Sequence, residues 1–330
     1  MITYIYNNMK KSLLTLSAFL ILAASAPAQD SPLWLRRNAI SPDGSQIAFT
    51  YKGDIYLVGS EGGRARQITT NAAYDSNPLW TEDGKTIIFS SYREGSKDIY
   101  KVSADGGAPV RLTSHTGNET PVAVMPDGSV IFSAAIQQDV EYGDFPGGSQ
   151  LYQVGPDGGR PEHVTSLQIG SLSIGTDNTV IYEDYKGYED PWRKRHTSSV
   201  TRDIWMYVPS IDPSEGFRID GNGTFTKLTS FNGEDRNPVF ELGGNAYYYL
   251  SEQDGTLNIY YTDSLADQLF NGGSIKSKQI TFYKGNPVRY LSISHNGTLC
   301  YSYDGELYTI KSGGQPEKVD IRIVTDQIEK

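Results

Sequence analysis

Cysteine is almost missing from this chain: there is one in 330 residues, Cys300. A disulfide framework is therefore excluded, and with it the small stapled scaffolds. Cys300 sits in the run Thr298-Leu299-Cys300-Tyr301, with no basic or helix-start neighbour to activate a thiol. It reads as a small buried hydrophobe in a strand. Histidine is nearly as scarce, with His115, His163, His196 and His295 only, and no two are spaced as a metal pair. A Gly-x-Ser-x-Gly elbow is absent, as is a phosphate-binding glycine loop leading into a helix. His196 lies near Ser198 and Ser199 but has no orienting acid or oxyanion hole. No catalytic residue, cofactor or metal is expected. Excess positive charge is also lacking. The net charge is −10, which repels phosphate backbones, argues against nucleic acid as a partner and serves solubility. No stretch of ten or more residues shows a helical period.

One long apolar run exists, Leu13 to Ala24, following Lys10 and Lys11 and preceding the small-x-small sequence Ala26-Pro27-Ala28. It is short for a membrane span and reads as a signal peptide over residues 1–28, with Met9 as a possible true start. A periplasmic or secreted location follows, with no membrane span after cleavage.

Glycine (34) and tyrosine (23) are abundant, a mixture that leans all-β. The organising feature is a repeat. A tetrapeptide of polar, polar, aliphatic, aromatic recurs as Gly53-Asp54-Ile55-Tyr56, Lys97-Asp98-Ile99-Tyr100, Ser149-Gln150-Leu151-Tyr152, Arg202-Asp203-Ile204-Trp205, Leu257-Asn258-Ile259-Tyr260 and Gly305-Glu306-Leu307-Tyr308. Upstream of each lies a turn such as Pro42-Asp43-Gly44, Glu82-Asp83-Gly84 or His295-Asn296-Gly297. A strand then ends in an aromatic: Phe49, Phe89, Phe132, Tyr182, Tyr248 and Tyr301. Downstream, five copies end in an aliphatic-threonine pair closing at Thr69, Thr113, Thr165, Thr229 and Thr281, and the sixth ends in Lys318-Val319. Each unit thus reads as four strands, A to D, with a Gly-Gly pair often turning C into D.

The spacing predicts an all-β, six-bladed β-propeller of four-stranded antiparallel blades over residues 31–325, because one such sheet cannot bury both faces alone. The blades fall at about 37–70, 76–114, 119–166, 170–230, 236–282 and 286–320. No spare strand is evident at either terminus, so ring closure by strand exchange is not expected.

Departures from the repeat point to function. The B–C loops of blades 3 (Ala134 to Ser149) and 4 (Tyr185 to Arg202) are long. The second carries Tyr188, Glu189, Asp190, Trp192, Arg193, Lys194, Arg195 and His196. Two readings stay open for it: a solvated loop anchored by Trp192 and Tyr188, or a polar mouth that contacts peptide or a neighbouring domain. The loop into blade 5, with Glu234, Asp235 and Arg236, falls on the same rim. The long C–D segments Pro209 to Gly223 and Ser264 to Ser274 read as surface excursions on the opposite face.

The units resemble the PD40, or WD40-like, repeats of TolB and of tricorn-type proteases, through Ile40-Ser41-Pro42-Asp43-Gly44, Ile47-Ala48-Phe49 and Gly53-Asp54-Ile55-Tyr56. Lys186-Gly187-Tyr188-Glu189-Asp190-Pro191-Trp192-Arg193-Lys194, Thr197-Ser198-Ser199 and Gly233-Glu234-Asp235-Arg236-Asn237-Pro238 are more specific. They look like the first propeller of secreted tricorn-like proteases. That resemblance implies a non-catalytic module acting as a substrate or product gate, or as a platform for peptides and for the remaining protease domains. None of the family's catalytic residues has a matching position. The chain then reads as a part or truncation of such a serine peptidase, or else as a stand-alone, TolB-like periplasmic scaffold.

Overall fold

The computed structural model describes residues 32–135, 148–175, 177–187, 197–210 and 217–324. They form six antiparallel sheets, each starting at an innermost strand. Blade 1 is β1 (Arg36–Ile40), β2 (Gln46–Tyr51), β3 (Asp54–Gly59) and β4 (Gly63–Gln67). Blade 2 is β5 (Asp75–Trp80), β6 (Thr86–Ser91), β7 (Asp98–Ser103) and β8 (Val110–Arg111). Blade 3 is β9 (Glu119–Val124), β10 (Val130–Ala134), β11 (Gln150–Val154) and β12 (Glu162–Thr165). Blade 4 is β13 (Ile169–Ile174), β14 (Val180–Asp184), β15 (Ile204–Val208) and β16 (Thr224–Lys227). Blade 5 is β17 (Asp235–Phe240), β18 (Tyr247–Ser251), β19 (Asn258–Thr262) and β20 (Lys278–Gln279), with the short helix α1 (Leu265–Asn271) between its last two strands. Blade 6 is β21 (Arg289–Ile293), β22 (Leu299–Tyr303), β23 (Glu306–Ile310) and β24 (Glu317–Lys318).

The repeated residues have repeated jobs. The strand B aromatic lies directly opposite the tetrapeptide aromatic in every blade, from Phe49 against Tyr56 to Tyr301 against Tyr308. Ring centroids stand 5.9 Å apart in blades 1, 2 and 3 and 5.8 Å apart in blades 5 and 6. Such cross-strand aromatic pairs stabilise a sheet and fill the gap between layers. In blade 5 the partner of Tyr260 is Tyr249, not the expected Tyr248, which pairs with Tyr261. Three consecutive tyrosines at 247–249 leave strand alternation unable to choose the inward one. The turn carboxylates cap their own hairpins: Asp43, Asp83, Asp127 and Asp177 each accept the backbone N–H two residues on, and Asn296 does the same.

Among the described residues the hydrophobic core is a ring of six clusters, one between each pair of neighbouring blades. That between blades 1 and 2, for example, packs Ala48, Ile55 and Leu57 against Trp80, Ile87 and Phe89. The cluster between blades 6 and 1 has the same character, with Phe49 and Val58 against Cys300 and Leu307. Cys300 is fully buried there, and burial pushes its thiol up to about 12.

Ring closure departs from expectation. A further strand, β25 (Ile321–Ile323), leaves blade 6 and pairs parallel with the outer strand β4 of blade 1, giving that sheet five strands. Blade 1 is already complete, so β25 clasps its outside without replacing a missing strand. The backbone N–H of Gly63 donates to the Asp320 carbonyl at 2.8 Å. Gly62 has φ +94°, and a Cβ there would lie 2.6 Å from the same carbonyl oxygen. The three-residue Ile-Arg-Ile alternation was too short to announce a strand.

Two outcomes follow. Gly62→Ala and Gly106→Ala impose the same left-handed strain (φ +94° and +98°), but only the first collides with backbone. Gly106→Ala should cost about 1 kcal/mol, and Gly62→Ala measurably more, read as the difference in thermal midpoint. Cys300 should resist thiol reagents in the folded protein and react at full stoichiometry once denaturant opens the blade 6–blade 1 seam.

Candidate functional site

Two features stand out: the rim where blades hand over to one another, and the channel that their inner strands enclose. At the rim, the threonine that ends a blade takes a backbone N–H from the tetrapeptide. Ile55, Ile99, Ile204 and Ile259 donate to Thr69, Thr113, Thr229 and Thr281 at 2.8–3.0 Å. The next inner strand then starts by donating a backbone N–H to the residue that opens the tetrapeptide: Asp75 to Gly53, Glu119 to Lys97, Asp235 to Arg202 and Val288 to Leu257. Leu35 makes the same bond to Gly305 at 3.0 Å, so blade 6 meets blade 1 as four other pairs of neighbouring blades meet.

Acidic side chains are buried at these junctions. Asp54, Asp98 and Asp203 come from the tetrapeptides, and Asp75, Glu119 and Asp235 from the following inner strands. Burial pushes Asp54 up to about 6, with Asp75 adding repulsion, and pushes Glu119 up to about 7, opposed by the hydroxyl that Thr113 donates to it. Burial likewise raises Asp235 to about 7, against the neighbouring hydroxyls of Ser251 and Thr229, while Asp203 and Glu234 repel it.

The blade 4–blade 5 junction is the most highly charged. Arg202 pairs with the buried Glu183 and lies 4.9 Å from the Tyr185 ring centroid. Burial, with Arg236 nearby, pulls Arg202 down to about 10. Glu183 also accepts from the Ser171 hydroxyl and from the backbone of Asn237, so it ties blade 4 to blade 5. Lys186 pairs with Asp203, which also takes Lys227 at 2.8 Å. This network is the footing of the long blade 4 loop.

Of the residues expected to contact a partner, Tyr188, Glu189, Asp190, Trp192, Arg193, Lys194, Arg195 and His196 lie outside the described residues. Glu234 is buried and accepts from Arg236 Nε at 2.6 Å, which leaves Arg236 only partly exposed. Asp235 has no exposed surface at all, so its carboxylate belongs to the seam and is not offered to a partner. Its position at the start of an inner strand, where chain and hydrogen-bonding demand turn inward, explains this.

The residues that line the channel were not singled out in the sequence. The channel is a cavity of about 430 Å³ lined by stretches of all six inner strands, among them Asn77–Trp80, Val122–Val124, Ser171–Ile174 and Tyr290–Ile293. All six of these strands bulge, and in four the register shift follows Arg36, Ser76, Arg236 and Arg289. Their bulge residues Arg37, Asn77, Asn237 and Tyr290 have φ between +49° and +58°. Asparagine accepts that conformation, as Asn237 shows by bridging both backbone groups of Leu291. Arg37 and Tyr290 are unusual there, and they stack on each other at 5.0 Å. The asparagines at 77 and 237 were the available signal for the bulges, since asparagine tolerates a left-handed backbone; Arg37 and Tyr290 had none. Among the described residues no group of three or more His, Cys, Asp or Glu side chains is placed to hold a metal ion.

The acidic junctions set a pH dependence. A carboxyl whose folded pKa is raised favours the folded state in its neutral form. That contribution is full below about pH 4 and is lost as pH rises through 6 to 7. Thermal stability should therefore fall over that window, and Asp235→Asn should flatten the slope by up to one proton's worth, about 1.4 kcal/mol per pH unit. A wild-type slope equal to that of the variant would contradict this assignment.

Residues 32–315 match the family described as the tricorn protease N-terminal beta propeller domain. The chain is 26% identical over 290 residues to tricorn protease homolog 1 of Streptomyces coelicolor, covering 86% of this chain and 24% of that protein. The crystal structure of the tricorn protease superposes with a TM-score of 0.71 at 21% identity, covering 90% of this chain and 27% of the other. TolB from Acinetobacter baumannii superposes at 0.58 with 17% identity, covering 88% and 66%. The chain thus spans about a quarter of the length of its tricorn relatives. With six blades and a family match running through them, the chain belongs to the family of tricorn protease N-terminal β-propeller domains.

Proposed function

We propose that this propeller is a non-catalytic module of a tricorn-like serine protease that holds or passes extended peptide through its channel and docks the remaining protease domains or subunits on its rim. The observation that carries the reading is the channel itself. Its walls are six twisted inner strands whose bulges interrupt strand pairing and turn side chains such as Asn77 and Ser171 among apolar ones. A narrow, mixed polar and apolar passage suits peptide, which presents the same mixture along its length. Family membership supports the protease context, because the tricorn relatives are several times longer than this chain. The leader around Leu13–Ala24 supports export to the periplasm or beyond, where the polypeptide would begin at Gln29.

Three measurements test the reading. A fluorescent, extended peptide of about six uncharged residues should bind the purified propeller without being hydrolysed. Ala123→Trp, which puts an indole into the channel wall, should weaken that binding at least tenfold while the thermal transition stays cooperative. Turnover by the propeller alone, or binding that is indifferent to the tryptophan, would defeat the proposal. Recovery of envelope proteins without any peptidase partner would favour a stand-alone scaffold instead. Mass spectrometry of the exported protein should find its N-terminus at Gln29.

A further inference from the structure

Of the residues that line the channel, those that ionise lie at its two ends. Arg37 and Tyr290 sit at the starts of inner strands, and Glu82, Glu241 and His295 lie on the A–B turns beyond the opposite ends. Everything between is neutral: the polar members are asparagines and serines, such as Asn38, Asn237, Ser171 and Ser294, and the rest are aliphatic, aromatic, proline or glycine. The charges do not cancel locally. Arg37 is exposed, stacks on Tyr290 and has no ion pair among the described residues. Its field reaches Lys97, whose own charge is disfavoured by burial and then by Arg37. Arg36 and Arg289, both exposed, flank the same mouth. Among the described acids at this end, Asp75 pairs with Arg93 and Glu234 with Arg236, while Glu94 and Asp304 stand exposed on B–C turns and do not line the channel. At the other end Glu82 faces His295 Nε2 at 3.2 Å, and Glu241 has only the Tyr261 hydroxyl at 3.4 Å.

We infer that the channel binds a zwitterionic peptide in one direction, with its carboxylate end at the Arg37 mouth and its ammonium end at the Glu82–Glu241 mouth. The inference rests on the peptide reading above and adds orientation to it. The inner strands set the length. Six residues, as in Asp75–Trp80, rise about 20 Å, which an extended peptide of about six residues matches. A neutral, partly apolar passage offers internal residues no charge to prefer, so the terminal charges decide the direction. Arg37 is suited to the task because its backbone and its guanidinium are both fixed, the one by the bulge and the other by the Tyr290 ring.

The test uses a six-residue peptide with uncharged side chains in three forms: free ends, N-acetylated, and C-amidated. At low salt each cap should weaken binding about fivefold, the size expected of a partly exposed ion pair, and the differences should vanish near 0.5 M salt. Arg37→Gln should remove the effect of amidation alone, and Glu241→Gln the effect of acetylation alone. A benzophenone at the carboxyl-terminal residue should crosslink near Tyr290, and one at the amino-terminal residue near His295. Binding that ignores both caps, or crosslinks shared equally between the mouths, overturns the orientation and leaves the channel reading standing. A reversed crosslink pattern overturns it as well. No binding by any form overturns both.

Discussion

Four of the six blade junctions in this propeller depend on where one backbone N–H goes. The isoleucine that follows the tetrapeptide's second residue belongs to strand C, at the end where strand D stops short. Its N–H is buried, and left unpaired it would cost about 1–3 kcal/mol. A threonine hydroxyl at the end of strand D takes it in blades 1, 2, 4 and 5. The chain is thereby pinned at the point where it must leave one sheet for the next. Six residues after Thr69, Thr113 and Thr229, the next inner strand starts against the previous tetrapeptide's carbonyl. The pin recurs in four blades and the seam bond at five junctions, blade 6 to blade 1 included, and together they set a repeated step from sheet to sheet around the ring. Blade 6 has Val319 where the others have an aliphatic residue, and Asp320 in place of threonine. From there the chain turns outward, gives its carbonyl to Gly63 and runs on as β25.

The pin has an electrostatic consequence. A threonine that accepts an N–H still has a hydroxyl proton to give, and its natural acceptors are carboxylates. Thr69 donates to Asp54, and Thr113 to Glu119. Acids are thus drawn into the junctions, where burial disfavours their charge and a second acid often stands close. The cations that answer them, Arg93 to Asp75, Arg111 to Asp98 and Arg202 to Glu183, come from the same rim. Buried pairs of this kind contribute little net stability against hydrophobic replacements, but removing one partner is costly. Their effect is to make the junctions specific: a blade that rotated out of register would strand a charge.

The number of blades and their strand order could be read from the amino acids because cross-strand register forces an aromatic to recur at fixed places, and turn chemistry forces Asp-Gly or Asn-Gly between them. These are local constraints, and Phe89 with Tyr100 or Asp83 with Gly84 obeys them within about twenty residues. What stayed hidden was long-range. Nothing near Leu35 announces that it will meet Gly305, and nothing near Ile321 announces blade 1. The site was legible only as a region. The sequence pointed to the rim, the place where its own repeat breaks. Yet Asp235 looked like a surface acid, because a D–A loop is normally exposed and the inward turn of the chain is a property of the assembled ring. The lining of the channel was illegible for the same reason: its walls are short contributions from six sequence-distant strands, each of which reads alone as an ordinary inner strand.

The uneven charge of the channel follows from the same turn and seam chemistry. Asp43, Asp83, Asp127 and Asp177 are needed at the A–B turns to cap hairpins, so that end of the ring is acidic as a structural by-product. At the opposite end several acids are buried or paired at the junctions, and among the described residues the charged side chain that lines the channel there is Arg37. The polarity therefore does not require selection at every position. Arg37 is what turns a diffuse difference into a defined one. Its equivalents in blades 2 and 5 are Asn77 and Asn237, which tolerate the left-handed bulge. An arginine there bears a backbone cost of about 1–2 kcal/mol, partly offset by stacking on Tyr290. A residue retained at a strained position, lining the end of a channel and left without a carboxylate partner among the described residues, makes more sense as a group that meets an anion than as a support for the fold.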